Sequence, residues 1–222
     1  MSARSSLHSA LLVAAVLAGG CGNKTKPPPE ADPAQVQDLA KKLVANMPGM
    51  AAVRECKDAD FANTTTLTFR SVLQLAGEAL SPEPRDADWI NPPQLDSPAI
   101  RTLLDSKDDT AKRRAAADVL AAKAYLLYKV DVVNAPIALL IKELKIGTVL
   151  TRAIVYEKTA TPRCVVSVDF QNDRAKSDWA ISVSDKTLID PAVAKAMRDD
   201  LAEQFLKNAP GRAPAAPPPS KK

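Results

Sequence analysis

Two short near-repeats carry the residues best suited to chemistry: Asp86-Ala87-Asp88-Trp89 and Lys176-Ser177-Asp178-Trp179. An indole face stacks on a pyranose ring while neighbouring carboxylates accept its hydroxyls, so the pattern suits glycan binding. Glycoside cleavage needs two carboxyl groups, about 5 Å apart for retention and about 6.5–9.5 Å for inversion. Glu83, Asp86, Asp88 and Asp178 supply them only if the proline-rich loop folds against the turn at 172–178. Asp88, Trp89, Asp178 and Trp179 are therefore the candidate glycan cleft. The plainer expectation has both tryptophans packing where loops meet the core, with the aspartates in water.

The first twenty residues bear on which chemistry survives in the mature chain. Arg4 gives a charged start, Leu11–Leu17 an apolar stretch, and Ala18-Gly19-Gly20 a run of small residues, the layout of an export signal. The apolar stretch is shorter than the ~20 residues that cross a bilayer. Residues Leu17-Ala18-Gly19-Gly20-Cys21 resemble the lipobox of bacterial lipoproteins, with Ala18 standing where leucine is commonest. That resemblance implies a signal peptide over 1–20, cleavage before Cys21, and acyl chains such as palmitate on that cysteine. Gly22, rather than Asp, after the cysteine implies sorting to the outer membrane, facing the periplasm. Each buried methylene contributes ~0.8 kcal/mol and a single chain holds only marginally, so several chains make the anchor stable. The alternative is a simple secretory signal cut after Ala18 or Gly20, leaving Cys21 as a free thiol. The resemblance stops at residue 21, and no domain family is recognised for the body.

His8 is the only histidine, and it lies within the signal. A mature chain without imidazole has no Ser-His-Asp or Cys-His pair and no zinc site built on histidine. Only Gly49, Gly77 and Gly147 remain in the body, too few for a phosphate-cradling loop or a dinucleotide fingerprint. Asp58, Asp60 and Asn63 have some spacing of a calcium loop but lack its turn glycine and terminal glutamate, and read as a polar turn. No cofactor, metal or catalytic residue is expected. Loss of Arg4 leaves 29 basic against 26 acidic residues, a net +3, and the two signs are interspersed. A concentrated basic face is missing, so nucleic acid is not an expected partner.

With Cys21 acylated, Cys56 and Cys164 remain, 108 positions apart. Export places them where disulfides persist, and no C-x-x-C spacing suggests a redox pair. A Cys56–Cys164 bridge is expected, worth ~4.7 kcal/mol in the chain-entropy account of a loop of that order.

The elements that would position these groups follow from period and punctuation. Residues 21–33 are a lipidated, proline-rich tether, extended at ~3.1 Å per residue. Residues 34–208 form a single α+β domain, and 209–222 a disordered, proline-rich basic tail. Asp32 and Pro33 start a helix through Met47. Residues 67–80 fit either a helix or, after Thr64-Thr65-Thr66, a strand. The aperiodic, proline-rich residues 81–96 read as a long loop. Ser97-Pro98 opens a short helix, and Asp108 caps an alanine-rich helix to about Ala122. Alternation then marks strands at 126–132, 146–156 and 164–170, with another suggested by Trp179, Ile181 and Val183. Ile137–Ile141 is apolar but unassigned. Asp190-Pro191 starts a last helix with Val193, Met197, Leu201 and Phe205 on one face. The plan is N-terminal helices, an antiparallel β-meander of three to four strands, and a C-terminal helix. The functional expectation is a lipid-anchored envelope protein with a binding, structural or assembly role, partnered by an envelope protein or the cell wall. The alternative is a carboxylate-dependent glycan-binding or glycan-cleaving protein.

Overall fold

The Asp32 carboxylate accepts the Ala34 amide at 2.9 Å and Pro33 fills the first turn, so helix α1 begins at the expected place and spans Pro33–Ala45. The computed structural model describes residues 28–49, 53–81, 90–134, 137–139, 143–145, 147–171 and 191–211. The ambiguous region after residue 63 resolves into both patterns in turn. Thr64–Thr68 is strand β1, and Thr68 then caps helix α2, Phe69–Ala76, its hydroxyl accepting the Ser71 amide at 3.3 Å. Gly77 ends α2 in the left-handed region, at φ 78°. Helix α3 spans Pro98–Asp105, and α4 spans Asp109–Ala121 behind an Asp108 cap.

Strands β2 (Ala124–Asn134), β5 (Thr148–Glu157) and β6 (Pro162–Gln171) pair antiparallel in sequence order. Between β2 and β5, β3 (Ile137–Leu139) pairs antiparallel with β4 (Glu143–Lys145), which puts the first three residues of the apolar run Ile137–Ile141 in a strand; its last two lie outside the described residues. The four-stranded sheet runs β1-β2-β5-β6, and β1 lies parallel to β2, from Thr64 opposite Ala124 to Thr68 opposite Tyr128. This corrects the expectation of a wholly antiparallel sheet. A parallel pair needs a long crossover, and α2, α3 and α4 supply it. The strand expected around Trp179 lies outside the described residues. Helix α5 spans Pro191–Asn208.

The sheet is covered on both faces. On one side α1–α4 bury Leu39, Leu43, Val72, Ile100, Ala116 and Val119 against Leu67, Tyr125, Leu127, Ile154 and Tyr156. On the other, Leu201 and Phe205 of α5 pack on Leu126, Tyr128, Val130, Val155 and Phe170. The first five residues of β2 are accordingly buried without alternation, and only its far end alternates. The packed body also reaches three residues past its expected end at 208. Ala209 is buried, the Tyr128 hydroxyl donates to the Pro210 carbonyl, and Gly211 lies against Leu126 and Phe61.

Candidate functional site

Asp88, Trp89, Asp178 and Trp179 fall within 82–89 and 172–190, and Cys21 within 1–27, all outside the described residues. Ile90 and Phe170, one and two positions from the segments that hold the two tryptophans, both line a cavity of about 10 Å³ with Val149, Leu201 and Phe205. Its lining among the described residues is wholly apolar.

Cys56 and Cys164 are joined, with Cα atoms 4.9 Å apart. Backbone pairing explains the approach: Cys56 N donates to Val165 O at 3.2 Å, and Val165 N to Arg54 O at 3.0 Å. The segment before the first helical turn at Asp58–Phe61 is thus laid along β6 and stapled there. Cys164 is fully buried, which suits a structural bridge and not thiol exchange. In that turn Asp60 accepts both terminal nitrogens of Arg54, at 2.7 and 2.8 Å, and the Lys57 amide at 2.9 Å. Those hydrogen bonds, from Arg54 first, hold its carboxyl well below the usual range. Its lone pairs are committed to the turn, which is the polar turn expected from Asp58, Asp60 and Asn63. Among the described residues no group of three or more His, Cys, Asp or Glu could hold a metal ion.

Two further polar clusters escape the sequence reading. In β2, Val130 pairs with Thr151 and Val132 with Leu150, which leaves Asp131 as the extra residue of a β-bulge. The bulge turns Asp131 toward Arg152, whose Nε and Nη2 donate to its two oxygens at 2.5 and 2.9 Å. The third guanidinium nitrogen donates to the Pro48 carbonyl at 2.8 Å, tying the chain after α1 to the sheet. Lys129 also donates to Asp131 and sits 5.7 Å over the Phe69 ring. Burial pushes the Asp131 carboxyl up, but hydrogen bonds from Arg152 and Lys129, with their charges, leave it below its ordinary value.

The second cluster is Asp96, only 4% exposed. It accepts the Thr68 amide and the Ser71 hydroxyl, each at 2.6 Å, and the Thr68 hydroxyl at 3.3 Å. The carboxylate thus completes the cap of α2 from a distant loop. Burial pushes its pKa up, only partly opposed by the Ser71 and Thr68 hydrogen bonds and by Arg101. Ser71 is itself buried and its hydroxyl donates to Asp96, so the pair braces the start of α2.

A larger concavity lies elsewhere. A solvent-open groove of about 290 Å³ runs between α1, α4 and the turn joining β5 to β6. Leu39, Leu120 and Tyr125 supply apolar lining, and Gln35, Asp38, Lys42, Lys158 and Thr159 the polar lining. Hydrogen bonds from sheet to helix fix its walls: Tyr125 Oη donates to Val119 O at 3.2 Å and Tyr156 Oη to Leu43 O at 3.3 Å. Asn46 Nδ2 adds a bond to Ala160 O at 3.1 Å. Burial raises the pKa of both phenols, so they remain donors at neutral pH. Compared with protein-family models, with curated proteins and with solved structures, the chain matches none.

Proposed function

We propose that this protein is a lipid-anchored bacterial envelope lipoprotein, held at the outer membrane by Cys21, that binds another envelope component without transforming it. The observation that carries the reading is the Cys56–Cys164 bridge. It uses two of the chain's three cysteines, so the one left over is the residue that ends Leu17-Ala18-Gly19-Gly20-Cys21. A buried structural disulfide suits an oxidising compartment, which is where a lipobox would send the chain. The binding role is supported by a braced groove and by polar clusters whose groups serve one another. The partner is proposed to be an envelope protein or the cell wall.

In-cell crosslinking of the native protein, followed by detergent extraction and mass spectrometry, tests this. One dominant envelope partner, lost when Cys21 is changed to Ser, is the expected result. Captured glycan with no protein would turn the reading toward the carboxylates Asp88 and Asp178. No specific capture in either form would count against a binding role.

A further inference from the structure

We propose that the groove between α1, α4 and the β5–β6 turn binds a small carboxylate carried on a short apolar chain. This deepens the binding role proposed above and rests on that reading only in taking the body to bind and not to cleave. Lys42 and Lys158 stand at the groove on two different elements, and neither makes an ion pair or a side-chain hydrogen bond among the described residues. Lys41, Lys107 and Lys123 are unpaired among the described residues too, so what sets these two apart is that both line one concavity. Two ammonium groups at one concavity, neither held in an ion pair among the described residues, attract an anion. Asp38, one helical turn before Lys42, brings the lining to a net +1. That balance suits a single carboxylate better than a doubly charged phosphate. Gln35 and Thr159 offer neutral donors beside the lysines, while Leu39, Leu120 and the Tyr125 ring offer apolar contact.

The size and rigidity of the groove also fit a small ligand. Its volume of about 290 Å³ lies near the lower end for ligand sites, room for a short chain only. The turn carrying Lys158 and Thr159 is held in a costly shape, with Ala160 at φ 62°. The methyl of Ala160 is fully buried in the core and its carbonyl is bound by Asn46, so the turn cannot drift from α1. A preset rim loses little entropy on binding.

The test uses the full chain carrying Cys21→Ser, so that no acyl chain of its own competes. Octanoate, octylammonium and inorganic phosphate are titrated separately, and methyl resonances of Leu39 and Leu120 report occupancy. Octanoate is expected to shift both methyls with a Kd on the order of 1 mM. Lys42→Gln and Lys158→Gln are each expected to weaken it by about two- to fivefold, the range of exposed ion pairs. Both side chains are exposed, so an unchanged spectrum elsewhere confirms that the variants fold. The proposal is overturned if octanoate leaves the methyls unmoved or if octylammonium or phosphate binds as tightly. Full affinity in the double variant would overturn it too. Octanoate binding, together with mass spectrometry showing the native chain unacylated at Cys21 in cells, would leave this proposal standing while the lipoprotein reading fell.

Discussion

Asp96 and Asp131 are both carboxylates drawn away from water, yet their surroundings move them in opposite directions. Asp96 meets neutral donors, so burial dominates and its folded pKa lies above the ordinary value of 3.8. The stability tied to its protonated form is fully present below that ordinary value and is lost as pH rises through the raised one. Asp96→Asn removes that titration while keeping an acceptor for the Thr68 amide. Urea midpoints measured from pH 4 to pH 8 are expected to fall for the native chain relative to the variant. Asp131 meets two cations and has its pKa lowered, so its stabilisation is present above the ordinary value and lost as pH falls through the lowered one. Asp131→Ala strands the Arg152 guanidinium, whose side chain is 8% exposed. Urea unfolding at pH 7 is expected to show a loss of about 2–3 kcal/mol, below the range for fully buried pairs because Asp131 is partly solvated. Neither role was legible in the sequence. Asp96 acts on Thr68 and Ser71 from 25 or more positions away, and Asp131 is re-aimed by a bulge that shifts the alternation, so that Val133 and not Val132 follows Val130 into the core.

Elements with local punctuation were legible, and elements defined by distant partners were not. Asp32-Pro33, Ser97-Pro98 and Asp108 mark helix starts because a capping carboxylate (Asp32, Asp108) or a first-turn proline (Pro33, Pro98) acts only on the residues beside it. Between Thr64 and Ala76 both patterns were present because strand and helix adjoin with Thr68 ending one and capping the other. The parallel alignment of β1 was hidden, since its partner β2 begins some 60 positions later and no local period records it. The groove was hidden for the same reason: α1, Leu120, Tyr125 and the turn at 158–159 each contribute what looks like ordinary surface or core. The last described residues show how much one position can matter. Gly211 sits at φ 75°, and a Cβ there would lie 2.9 Å from Leu126 Cδ2 and from Phe61 Cβ. Gly211→Ala is expected to cost about 1–2 kcal/mol by the left-handed penalty, with more from the contacts, and a lowered Tm reports it.

At the scale of the whole molecule, two cores on opposite faces of one sheet share a single covalent staple. Cys56 and Cys164 were predictable as a pair because only two cysteines remain once Cys21 is set aside. Replacing both with Ala is expected to cost roughly 2–5 kcal/mol, as for native bridges in exported domains, and urea unfolding measures it. The bridge and the anchor make one joint claim: the chain leaves the cytoplasm, closes its disulfide and stays tethered by its first mature residue. The most direct measurement is intact and proteolytic mass spectrometry of the protein purified from envelopes of cells expressing the full chain. The account predicts a mature N-terminus at Cys21 carrying diacylglyceryl and acyl mass, absent from the Cys21→Ser chain. An unmodified thiol at residue 21, or a chain that still begins at Met1, would contradict it.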